Sequence, residues 1–282
     1  MTFLKKLGCA AAFGLAAGAS QASIMNDWTF NPAGSGQAKG QEINEYLDVN
    51  GNAFIELNAT SKTSFNFVEH AVFNLSQADS NGQLFPVNYA GGNITATFEG
   101  YGAGTFGGAF KFTGGTIKMY QNPANGQYGS VSGIYGANLG NLIGTFTVLA
   151  GGGGTVDGKG NPTDNGQVSI FLKASKGALA ANYFFDDLGQ DMSGFNVEAF
   201  AFTNANTVGA PTNRLVKEVA CQFAGFTGPG CAGNSPYKNV AGDHFFVSNN
   251  GQFKFNEIPE PGSVALFGIA LFGIGALRRR VK

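Results

Sequence analysis

The chain has 282 residues, of which 12% are charged and 13% aromatic, with 44 glycines, 27 phenylalanines and a formal net charge of −1. So little charge leaves no room for the charged, Ala/Leu-rich stripes of a helical protein, and the absence of a basic excess removes the electrostatic footprint of a nucleic-acid binder. The abundance of Gly, Phe, Asn, Thr and Ser points to β structure.

At the N-terminus, Lys5 and Lys6 precede a small apolar stretch, Leu7 to Ala19, and Ser20-Gln21-Ala22 places small residues where a signal peptidase reads. This predicts a secretory signal helix over residues 1–22, export through the Sec machinery, and cleavage by signal peptidase between Ala22 and Ser23. Cys9 lies ahead of most of the apolar stretch, with Lys6 where a lipoprotein motif wants an aliphatic residue, so lipid attachment is not expected.

The body, residues 23–258, reads as a succession of strands. Trp28 and Phe30 share an inward parity in a first strand. Asp48, Asn50, Asn52 and Glu56 loosely suggest a calcium loop, but Gly51 is misplaced for one and the spacing to Glu56 is short, so an Asn50-Gly51 hairpin turn is the better reading. Phe65, Phe67, Ala71, Phe73 and Leu75 share one parity, interrupted by Glu69. Ile94, Ala96 and Phe98 alternate with polar residues, as do Val168, Ile170 and Leu172, and Phe253 and Phe255. Each pattern is that of a strand with one buried face. Five Asn-Gly pairs (Asn50-Gly51, Asn81-Gly82, Asn125-Gly126, Asn165-Gly166 and Asn250-Gly251) predict hairpin turns, since Asn-Gly supplies the positive φ angles a two-residue turn needs. The flanking residues do not repeat, which argues against a propeller or solenoid.

Gly151 to Gly166 is rich in Gly, Asn and Asp and reads as an inserted, mobile loop. Asp186, Asp187 and Asp191 form the densest acidic cluster, and oxygen ligands at this density suit Ca²⁺, although a strand end followed by a solvated Asp-rich turn is the commoner use of such residues. Asn213 to Phe223 fits both a helix face and a strand parity. Cys221 and Cys231, in an exported chain and without metal-ligand spacing, predict a disulfide closing a short loop. The expected fold is all-β: an antiparallel β-sandwich of about 236 residues, with two smaller sandwiches split at the Gly151 to Gly166 stretch as the alternative.

The tail has three parts: Pro259-Glu260-Pro261, an apolar run from Val264 to Leu277, and the basic end Arg278-Arg279-Arg280-Val281-Lys282. The prolines predict an extended joint. A helix over the apolar run would span about 21 Å against a hydrocarbon core of roughly 30 Å, so it reads as a short C-terminal hydrophobic helix giving transient anchoring in the inner membrane, with the arginines as a cytoplasmic stop. Trimming both ends removes six of the 17 basic residues and one of the 18 acidic ones, leaving a body of net charge −6.

Residues 259–282 resemble the PEP-CTERM sorting signal. That resemblance implies recognition of Pro259, Glu260 and Pro261 by an integral-membrane exosortase that removes the tail. With the tail, the stretches Asn26 to Gly34 and Asn44 to Ile55 resemble the flocculation-associated PEP-CTERM proteins, secreted by floc-forming bacteria and linked to exopolysaccharide retention. The resemblance implies a non-enzymatic matrix or cell-surface protein, finally extracellular, with polysaccharide as partner. It brings no catalytic residues. The chain has no Gly-x-Ser-x-Gly elbow, His-Glu-x-x-His helix or phosphate loop, and His70 and His244 sit in separate strand-like segments. The alternative is a calcium-assisted carbohydrate-binding adhesin, in which exposed aromatics stack on sugars; a glycan hydrolase would need two facing carboxylates, and no pair stands out. No cofactor other than Ca²⁺ is suggested.

Overall fold

A computed structural model describes residues 24–80, 83–86, 93–122, 128–129, 133–163, 166–233 and 235–256. The described residues form thirteen strands: β1 Trp28–Phe30, β2 Gln41–Ile43, β3 Leu47–Ala59, β4 Ser64–Ser80, β5 Gln83–Pro86, β6 Asn93–Thr105, β7 Ala109–Asn122, β8 Asn141–Val148, β9 Gly151–Thr155, β10 Gly166–Ala174, β11 Phe184–Phe185, β12 Val197–Thr207 and β13 His244–Phe255.

The large sheet closes on itself. Its neighbours run β3-β4-β6-β7-β8-β10-β12-β13, every pair antiparallel, and β13 then pairs with β3 from His244 opposite Glu56 to Phe253 opposite Leu47. This is an eight-stranded up-and-down barrel, and it corrects the expected sandwich. Alternation reports one buried face per strand, which a sandwich and a barrel share; only the pairing of the last strand with the first distinguishes them. Register shifts at Asp48/Val49, Tyr101/Gly102 and Met119/Tyr120 insert bulges of the kind that curl a sheet toward closure.

Within the Gly151 to Gly166 stretch expected to be a loop, Gly151–Thr155 forms β9 and completes the wall. β8 pairs with the Thr116–Gln121 half of β7, and β9 continues the same stave along Ala109–Phe112. At Gly153 (φ +108°) a Cβ would lie 2.0 Å from the carbonyl oxygen of Phe110, so only glycine admits this approach. The stretch lacks side-chain alternation because four of the five residues of β9 are glycine.

Inward residues form the main core. Phe65, Phe98, Phe112, Phe146, Phe245 and Phe255 are each no more than 2% exposed. A small sheet, β11-β1-β2, packs on one end of this core: Trp28 meets Phe255 edge-on at 4.9 Å, and Phe30 stacks on Phe184 at 5.1 Å. Val156, Gly160 and Pro162 line the lumen near Leu57 and Phe65.

A second apolar cluster lies on the outside. Asn213–Leu215 forms one α-turn capped by Thr212, whose Oγ1 accepts from the Leu215 amide at 3.2 Å, and Val216–Phe223 continues it as π-helix. Together (α1) they resolve the ambiguous Asn213 to Phe223 segment as helix. Leu215, Val216, Val219 and Ala220 of α1 pack on the outward side chains Phe54, Val72 and Phe246. Elsewhere the outward row of β3 is polar (Asp48, Asn50, Asn52, Glu56, Asn58) and its inward row apolar, the reverse of a lipid-facing barrel. Among the described residues no helix is long and apolar enough to cross a membrane. The expected signal helix, the cleavage point Ala22/Ser23, the motif Pro259, Glu260 and Pro261, the apolar run and Arg278, Arg279 and Arg280 lie outside the described residues.

Candidate functional site

The outer wall carries a row of amides. Register aligns Asn204 of β12 with Asn250 of β13, Asn250 with Asn50 of β3, and Asn50 with Asn74 of β4. Within it Asn250 donates Nδ2 to Oδ1 of Asn50 at 2.7 Å. The next row, Asn206, Ser248 and Asn52, is also polar, and Asn52 donates to the Tyr128 hydroxyl at 3.3 Å. Side-chain period two puts these residues on one face, and the pairing of β13 with β3 brings strands from opposite ends of the barrel sequence side by side. Beside them run the outward rings of Phe200 and Phe202 on β12 and Phe171 on β10. Phe171 lies opposite Phe200 with ring centroids 5.6 Å apart, and remains 44% exposed. An amide offers both donors and acceptors, and an exposed ring offers an apolar face, so the wall presents the two groups that recognise a polyhydroxylated ring.

The lumen holds the other unusual feature. A cavity of about 80 Å³ lies inside the barrel, lined by Phe67, Phe98, Ile117, Met119 and Phe245 among other apolar residues. Its polar lining is Glu69, Thr203 and Asn249, which are 8%, 6% and 6% exposed. Glu69 points inward because it keeps the parity of Phe65, Phe67 and Phe73; the apparent break in the sequence pattern is a carboxyl placed in the core. Among the described residues it has neither a counter-ion nor a hydrogen-bond partner. Burial pushes its carboxyl up to about 7, by disfavouring the charged form.

The sequence-predicted site residues do not converge. Cys221 and Cys231 form the expected disulfide, with Cα atoms 5.3 Å apart, beside the outer cluster. Asp186 Oδ1 accepts from the amides of Leu188 (3.0 Å) and Gln190 (2.7 Å). Asp191 accepts from Asn182 N (2.7 Å) and Ser193 N (2.9 Å), capping a short 3₁₀ turn. Burial raises the Asp191 carboxyl, but these two amides outweigh it and hold the group below the usual range. Asp187, between them, is exposed. Among the described residues no three His, Cys, Asp or Glu side chains are grouped as for a metal ion.

Both histidines are on the outer face. His70 meets Phe223 of α1 edge-on at 4.9 Å, and burial lowers its pKa against the opposing charge of Glu99. His244 lies between Phe226 (4.7 Å) and Tyr237 (5.6 Å); its Nδ1 is 3.3 Å from Asp243 Oδ2, close enough for an ion pair but not aligned for a hydrogen bond. Asp48, Asn50, Asn52 and Glu56 share the outward parity of β3, with Phe54 between the last two, which accounts for their spacing.

Residues 257–280 match the family model described as the PEP-CTERM protein-sorting motif. The chain carries this motif, which makes it an exported protein sorted to the cell surface with exosortase as its processing partner. Comparison with curated proteins and with solved structures gives no match.

Proposed function

We propose that the protein is a non-enzymatic component of the extracellular matrix or cell surface, whose outer wall engages exopolysaccharide and supports its retention in flocs or biofilm. The observation that supports this most is the amide row Asn204, Asn250, Asn50 and Asn74 beside the rings of Phe171, Phe200 and Phe202. Sugar hydroxyls exchange hydrogen bonds with amides, and the C–H face of a pyranose packs on a ring. A body of net charge −6 fits a neutral or weakly charged glycan better than a polyanion. Among the described residues Glu69 is the only ionisable group lining the lumen cavity, whereas glycoside hydrolysis uses two carboxyls. In this reading the motif at 257–280 delivers the barrel, and the wall does the binding.

Deletion of the gene in its host, with rescue by the full chain and by a chain lacking residues 259–282, tests the proposal. Loss of polysaccharide retention on deletion, restored only by the full chain, is expected. Retention that survives deletion would overturn it.

A further inference from the structure

We propose that the barrel lumen is a binding site for a small apolar molecule bearing a single hydroxyl, of the size of a phenol, whose hydroxyl pairs with the carboxyl of Glu69. This site is separate from the outer wall and does not depend on that reading. Three observations carry it.

The first is room. The 80 Å³ open to a water-sized sphere is several times what a single water needs, so the cavity admits a molecule of several non-hydrogen atoms. The second is polarity. Rings and aliphatic chains from β3, β4, β6, β7, β10, β12 and β13, among them Phe67, Phe98, Ile117 and Phe245, line the space. Such a cavity disfavours bulk water, because a water needs two to four polar partners, and suits an apolar guest.

The third is an unused polar group in that setting. Glu69 is more than nine-tenths buried and reaches the cavity with no partner among the described residues. A buried polar group left unpaired is unfavourable, and leucine at this position would extend the inward row of Phe65, Phe67, Phe73 and Leu75 without that cost. Burial keeps this carboxyl protonated up to about pH 7, and in that form it both donates and accepts, which matches a hydroxyl in both directions. An ammonium head fits less well, since an ion pair enclosed by so many apolar groups is costly to desolvate. Thr203 and Asn249 supply further hydrogen-bonding groups on β12 and β13.

The test uses the exported chain with phenol and benzene as probes, followed by calorimetry and by shifts of the Met119 methyl resonance. Saturable phenol binding in the range of roughly 0.1–1 mM is expected for a ligand of this size. Glu69→Leu should weaken phenol at least tenfold while benzene still binds, and Glu69→Gln, which keeps donor and acceptor, should retain phenol. Ala201→Leu, which fills the lumen from β12, should abolish both. Circular dichroism establishes that each variant is folded; Glu69→Gln and Ala201→Leu provide the comparison if Glu69→Leu is not. The proposal is overturned if the wild-type protein shows no saturable phenol binding up to 10 mM, if phenol binds equally to wild type and Ala201→Leu, or if Glu69→Leu leaves the phenol affinity unchanged.

Discussion

Asn250 donates to Asn50 at 2.7 Å although 200 residues of chain separate them. Each begins an Asn-Gly pair, the local signature of a hairpin turn, yet both pairs lie inside long strands. Asn250 is opposite Asn50, Gly251 opposite Val49, and Asn249 opposite Gly51. They meet at the seam where the last strand closes on the first stave of the barrel. Gly251 is inward-facing, and a Cβ there would lie 2.0 Å from the Phe202 carbonyl oxygen and 2.6 Å from the Thr203 Cα. The pair therefore serves close approach of β12 to β13 rather than a turn.

The first prediction concerns this seam. Gly251→Ala forces backbone apart and should destabilise the barrel by about 1–3 kcal/mol, read as a lower urea midpoint. Gly194→Ala, where a Cβ would meet nothing within 4 Å, is the control and should leave the midpoint nearly unchanged.

Glu69 gives the second prediction. Its carboxyl is raised from 4.5 to about 7 in the folded state, so the folded protein binds more protons than the unfolded chain between those values. The associated stability is fully present below pH 4.5 and is lost as pH rises through about 7, a change of about 3 kcal/mol. Glu69→Gln removes this component. The difference in urea midpoint between variant and wild type should swing toward the variant across that window and level off above it. A difference that is flat with pH would contradict a lone buried carboxyl.

Much of the wall was legible in the sequence, and the reasons for the rest are physical. The parities of Phe65 to Leu75, Ile94 to Phe98, Val168 to Leu172 and Phe253 to Phe255 correspond to inward rows of β4, β6, β10 and β13. Closure was not legible, because it rests on pairing between residues near 50 and near 250. Gly151–Thr155 carries no side-chain period and so resembled a loop. At Asn50-Gly51 and Asn250-Gly251 tertiary pairing overrode turn propensity. Asn81-Gly82, Asn125-Gly126 and Asn165 lie outside the described residues, though Ser80 and Gln83 on either side of the first are paired. For the outer amide row, the sequence pattern put Asn50 and Asn250 in turns and did not single out Asn74 or Asn204; only the register brings them together. Glu69 had the clearest available signal: a charged residue holding an apolar parity.

The disulfide supplies the third prediction. Cys221 and Cys231 close a short loop against the outer cluster of Phe54, Val72, Phe246 and α1. Reduction, or a Cys221→Ser/Cys231→Ser double variant, should cost about 2–3 kcal/mol in the chain-entropy model. The barrel's own pairings do not pass through this loop, so far-ultraviolet circular dichroism should still report native strand content at 25 °C.

For the acidic turn, Asp191→Ala removes the acceptor for two amides and should lower stability by about 1 kcal/mol at pH 7. The folded-state pKa of Asp191 is depressed, so this contribution is present above the unfolded value and disappears as pH falls through the folded one. Because Asp186 Oδ1 and both Asp191 carboxylate oxygens are engaged by backbone amides, adding Ca²⁺ or EDTA should leave the Tm unchanged.

The most direct measurement of the central claim is co-sedimentation of the exported chain with exopolysaccharide from the cells that make it, comparing wild type with Phe200→Ser/Asn250→Ala. Both changes lie on the outer wall, away from the lumen and α1, so equal Tm values establish that the variant is intact. Sedimentation of wild type with the polysaccharide and loss of most of it in the variant is the predicted result. Equal sedimentation of the two proteins, or none by either, would contradict the outer wall as the polysaccharide-binding face.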